Sequence, residues 1–159
     1  MTTNGMNIYK EARQRAHMTV EAAAEMLNIA PRSLQHYEAG DRAVPDDVVA
    51  DMIGAYKTPF LGYLHLRSNA VGKMVLPDVC ETGPARCAIK TTLATDEVPI
   101  IAKRMLTISE DDRIDNSERD CLQQIQGIAT RLAAAFLSVC FVREKENAVR
   151  RATERRAER

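Results

Sequence analysis

The stretch IAPRSLQHYEAGDRAVP, residues 29–45, decides how this chain is read. Pro31 follows Ala30, and proline is well suited to the first helical position because its missing N–H would find no partner there anyway. Ala39 and Gly40 supply the stop. The spacing predicts a short helix over 31–38. On it, Leu34 and Tyr37, with Ile29 just before, fall to one side, and Pro31, Arg32, Ser33, Gln35 and His36 to the other. A plain surface helix has little use for that polar set. A helix lying in the major groove of duplex DNA does. Arg32 can donate twice to guanine O6 and N7, Gln35 can pair with adenine N6 and N7, and Ser33 and His36 can bond bases or phosphates.

The residues upstream support such a helix. Thr19 is a suitable N-cap for a second helix over Val20–Leu27, with Glu21 favourable in its first turn. Asn28 follows where a tight turn needs the left-handed backbone, which Asn adopts more readily than most residues. Ala24 must be small because the third helix crosses close over the second. The starts of both helices would face phosphates with their free amides. The expected DNA-contacting set is therefore Pro31, Arg32, Ser33, Gln35, His36 and Thr19. Helices are also expected over Met6–Arg15, from Pro45 through Tyr56, and from Thr58-Pro59 through Arg67, with a turn at His17-Met18.

Composition sets the class. The chain has 159 residues, 45% apolar and 4% aromatic with no Trp, so Ala, Leu, Ile, Val and Met must fill a helical interior. The formal net charge is zero, and residues 1–68 hold seven Lys/Arg against eight Asp/Glu. Phosphate contacts supply much of the affinity for DNA, so a lone monomer should bind weakly. No apolar run reaches the roughly 18 residues of a transmembrane helix, and the first residues show no secretory signal, which predicts a cytoplasmic protein with no membrane partner. In that compartment Cys80, Cys87, Cys121 and Cys140 are expected as free thiols, the latter two as small core residues. The Cys80/Cys87 spacing matches no zinc pattern. The acidic run Asp111, Asp112, Asp115, Glu118, Asp120 lacks the alternation and central Gly of a calcium loop. No metal and no cofactor is expected. No nucleophile–base set, phosphate loop or paired catalytic carboxylates stands at a meaningful spacing, so the chain is not read as an enzyme.

The second half is also helical in pattern. Residues 68–84, SNAVGKMVLPDVCETGP, lose the apolar period and read as a linker between a DNA-binding domain at 1–67 and a C-terminal region at 85–159. Pro99 interrupts 85–107, which predicts either a kink or two helices meeting at Thr95-Asp96. Asp115 with Glu118 resembles a capping box. Beyond it Leu122, Ile125, Ile128, Leu132, Phe136 and Val139 form one stripe on a long final helix, expected to continue into the basic tail at 143–159, where Arg150, Arg151, Arg155, Arg156 and Arg159 could touch the DNA backbone.

Residues 18–45, MTVEAAAEMLNIAPRSLQHYEAGDRAVP, resemble the Cro and lambda-repressor type of helix-turn-helix, the XRE regulators. Ala24, Asn28, Ile29, Leu34, Tyr37, Glu38 and Gly40 stand at that family's structural positions, and Pro31, Arg32, Ser33, Gln35 and His36 at its base-reading ones. Val20 stands where the family often has a phosphate-binding Gln. The segments YKTPFLGYLHL, VGK, VLPDV and DDRIDNSERDCLQQIQGI resemble a subgroup of these regulators from Gram-positive bacteria, phages and other mobile elements, which carries a helical C-terminal region. The resemblance implies an all-α chain: a five-helix lambda-repressor-like domain followed by a helical C-terminal region. A helix-turn-helix reads few base pairs, and the first half shows no spare apolar surface, so dimerisation falls to residues 85–142. The expected function is a homodimeric repressor reading a palindromic operator with helix 31–38. The alternative is a protein-interaction adaptor or antirepressor that uses the same fold without DNA.

Overall fold

The computed structural model describes residues 7–108 and 113–142. Asp111, Asp112 and the tail at 143–159 lie outside these residues. The described residues are helical, with no strand among them: α1 (Ile8–Arg15), α2 (Val20–Met26), α3 (Pro31–Ala39), α4 (Asp46–Tyr56), α5 (Pro59–Ser68), α6 (Ala70–Val75), α7 (Pro84–Thr95), α8 (Val98–Ile108) and α9 (Arg119–Cys140). The chain divides between Leu76 and Pro77 into two compact units.

In the N-terminal unit, α1 to α5 enclose one apolar cluster in which Ala23, Ala24, Leu34, Met52 and Leu61 are sealed from solvent. Local chemistry sets the ends of these helices. Thr19 Oγ1 accepts from Ala22 N at 3.1 Å and starts α2. Asn28 takes a left-handed φ of 52° after it. Asn7, within the helix expected from Met6, instead starts α1 as its cap. Its Oδ1 accepts from Tyr9 N at 2.9 Å while its Nδ2 donates to Tyr37 O at 2.9 Å, so one side chain closes the start of α1 and the end of α3.

The segment expected as linker is partly helical. Asn69 accepts from Gly72 N at 2.7 Å and caps α6. Gly72 lies so near the end of α5 that an added Cβ would stand 1.7 Å from Leu66 O. Six residues without an apolar period thus become helix because a cap and a glycine allow the turn. The corner leaves Leu66, Val71, Met74 and Val75 exposed, contrary to the expectation that this half has no spare apolar surface.

In the C-terminal unit Pro99 sits in the first turn of α8, where a proline is tolerated, and two helices form rather than one kinked one. Both pack on α9. Glu97 accepts from Arg131 and Arg104 donates to Gln124 at 2.9 Å. A seven-residue step forward on α8 matches seven back on α9, so the two run antiparallel, and the last nine residues of α9, about 14 Å, extend beyond the start of α8. The apolar stripe accordingly splits. Ile125 and Ile128 are buried, whereas Phe136 and Val139 are each 49% exposed. Cys140 is exposed and Cys121 half-buried, so neither is the core residue expected; Cys87 is. Asp115 accepts from Ser117 N and Glu118 N, and its own N–H donates to Glu118 Oε2, a reciprocal turn that precedes α9. The bonds from Ser117 hold the Asp115 carboxyl below the usual range.

Candidate nucleic-acid interface

Along α3 the buried residues are Leu34, Tyr37 and Glu38. At about 100° per residue these three share one side, and Arg32 and His36 stand opposite it, flanked by Gln35. Pro31, Arg32 and Gln35 are exposed, and Ser33 and His36 half-buried. The structure therefore brings five of the expected residues onto one short helix and turns its apolar side inward; Ile29, before the helix, is half-buried.

The two helix starts differ. No side chain caps α3, whose first residue is Pro31; Ser33 N and Leu34 N already donate to Ala30 O. At α2, Thr19 is exposed but its oxygen is occupied by Ala22 N, which leaves its O–H free to donate outward.

Beneath this face lies a buried ion pair. Arg13 Nε and Nη2 donate to Glu38 Oε1 and Oε2 at 2.6 and 2.8 Å, and Nη1 donates to Met18 O at 2.7 Å. The fork joins α1, α3 and the α1–α2 turn, and the bonds to Glu38 push the Arg13 pKa above its already high value. Tyr56 packs nearby with its hydroxyl buried and unpartnered. Burial first, then Glu38, pushes this phenol up to about 12. A second chain links Tyr9, His65 and Asp46. His65 Nε2–H donates to Asp46 Oδ1 at 2.9 Å, so in the neutral ring Nδ1 accepts from Tyr9 O–H at 2.7 Å. Burial, then Asp46, raises the Tyr9 pKa.

Residues 10–62 match the family model described as helix-turn-helix. The N-terminal unit is an XRE-type helix-turn-helix domain. No curated protein and no solved structure is a significant match to the chain. The helix-turn-helix match stops at Gly62, so the resemblance of the later segments to the mobile-element subgroup rests on those residues alone. No described helix is long and apolar enough to cross a membrane, and among the described residues no cluster of His, Cys, Asp and Glu is placed to hold a metal ion.

Sequence reasoning missed the Arg13–Glu38 pair, although a signal existed: Glu38 follows Tyr37 on the apolar side of the helix, and a carboxylate buried there requires a cation. It also missed Asp41, which lies beside His36, with Nδ1 and Oδ2 3.1 Å apart.

Proposed function

We propose that the chain is a homodimeric, sequence-specific DNA-binding repressor that lays α3 in the major groove. The observation that supports this best is the outward side of α3, where Arg32, Gln35 and His36 project from a helix whose other side is locked into a sealed core. Arg32 and Gln35 carry the base readout, Ser33 and His36 assist, Pro31 sets the helix start, and Thr19 donates to a phosphate at the start of α2. The partner is double-stranded DNA with a palindromic operator. Dimerisation is assigned to the C-terminal unit, within the 85–159 region, where Ile89 and Leu93 lie one turn apart on the outer side of α7 and Phe136 and Val139 lie on the exposed side of the last turns of α9. The boundary between the two working parts falls within residues 68–84.

A second reading has its own support. The exposed Leu66, Val71, Met74 and Val75 and the slightly acidic balance of residues 1–68 suit an adaptor that binds protein rather than DNA. Salt dependence separates the two. A DNA reader loses duplex affinity steeply as salt rises, because phosphate contacts release counterions. Arg32→Ala in the full chain should cost about 1–3 kcal/mol on the preferred site and relax preference at one base pair. Duplex binding with neither property supports the adaptor instead.

A further inference from the structure

The resemblance places His36 at a base-reading position and gives no role to Asp41, which lies beside it. Gly40, at φ 81°, turns the chain back at the end of α3, and Asp41 N donates to His36 O at 3.0 Å. The same turn brings Asp41 Oδ2 to 3.1 Å from His36 Nδ1. Asp41 is thus tied to His36 through both backbone and side chain. The end of α3 is fixed further by the Asn7 bond to Tyr37 O. An ionised carboxylate only accepts, so Nδ1 must carry the proton in this bond. In the neutral ring Nε2 is then an acceptor. At His65 the carboxylate faces Nε2 instead, so the two histidines hold opposite tautomers.

We infer that Asp41 is a positioning residue that sets what His36 can read: with Nδ1–H held by Asp41, the free Nε2 accepts a hydrogen bond from an exocyclic amine in the major groove, adenine N6 or cytosine N4. The inference rests on the DNA reading above. The other tautomer would donate from Nε2, and would select guanine or thymine oxygen instead. With the ring neutral the pair keeps the carboxylate's charge, which repels phosphates, so Asp41 acts on base choice at a cost in overall affinity. Closing the groove over α3 removes water and strengthens the His36–Asp41 bond.

Two readouts on the full chain test this. Nitrogen-15 NMR of the histidine rings reports the tautomer without DNA. At a pH high enough to keep the ring neutral, wild type should show the His36 proton at Nδ1, and Asp41→Ala should move it to Nε2, the form favoured in water. Base preference is then measured for both proteins on random duplexes. Asp41→Ala should lose its preference for adenine or cytosine at one operator position, on the order of tenfold for a single hydrogen bond. It should also bind all duplexes more tightly at low salt, having lost a negative charge. A purely structural role for Asp41 would weaken binding at every position together and leave the tautomer unmoved. A neutral wild-type His36 ring protonated at Nε2 overturns the inference, as does an unchanged preference in Asp41→Ala. Wild type that binds no duplex overturns the DNA reading as well, whatever the NMR shows.

Discussion

The two units spend similar numbers of apolar residues in opposite ways. In the N-terminal unit Leu34, Met52 and Leu61 are fully buried, and one continuous cluster joins α1 to α5. Among the described residues of the C-terminal unit no large side chain is sealed to that degree; Cys87, Ile108 and Ile125 are its most buried apolar residues, while Ile89, Leu93, Ile100, Phe136 and Val139 face outward. The difference teaches which unit holds a sealed core, although the first also leaves Leu66, Val71, Met74 and Val75 exposed at the α5–α6 corner. A helix that reads DNA must stand on a rigid base, and the first unit supplies one from its own residues. The second exposes the apolar surface that a second copy would cover, which is the basis of the dimer proposed for it.

The largest effect should come from breaking the sealed core of the first unit. Leu34→Asp places a carboxylate at a fully buried site with no cation for it, and should abolish cooperative unfolding of the N-terminal unit in thermal melts. A normal melt would mean that the inner and outer sides of α3 are wrongly assigned. Glu38→Ala strands Arg13 in the interior and should cost about 3–5 kcal/mol in denaturant titrations; a loss below about 1 kcal/mol, the range of exposed pairs, would show that water reaches the pair.

The comparison can be sharpened on the other side. Phe136→Asp combined with Val139→Asp should halve the molar mass in sedimentation while leaving the helical signal in place, because both side chains are half exposed within one chain. Loss of helix instead would make them core residues of the unit, and an unchanged mass would move the dimer contact elsewhere. The smallest effect concerns Tyr56. Its folded pKa of about 12 exceeds the unfolded value near 10, so the folded state holds the proton more tightly. The resulting stability is fully present below pH 10 and is lost as pH rises toward 12. Tyr56→Phe should flatten that decline between urea midpoints at pH 9 and 11, leaving the part due to Tyr9, and should change stability at pH 7 by less than about 1 kcal/mol, since it removes an unpartnered hydroxyl. An equal decline in the variant would assign the pH dependence to other groups.

Much of the first unit is legible in the sequence because its signals are local. Thr19, Asn28, Pro31 and Gly40 each fix a helix end through their own backbone chemistry, and the 3.6-residue period of α3 sorts Leu34 and Tyr37 from Arg32 and Gln35. The interactions that sequence reading passes over join distant elements: Asn7 to Tyr37, Arg13 to Glu38, and Tyr9 through His65 to Asp46. No spacing rule pairs residues across that distance. In the second half the apolar stripe of α9 is visible, but which part of it is covered depends on how α7 and α8 lie along it, a register between separate elements that contacts such as Glu97 to Arg131 and Arg104 to Gln124 mark. The helix α6 escapes notice for a different reason: it rests on the Asn69 cap and on a glycine that permits a close approach to Leu66 O, rather than on an apolar pattern.

The central claim, that α3 reads DNA as one half of a symmetric pair, is tested most directly by selecting bound sequences from random duplex DNA with the full chain. Enrichment of an inverted repeat, with one base pair in each half losing its preference in Arg32→Ala, is the predicted result. No enriched sequence even at low salt would contradict it.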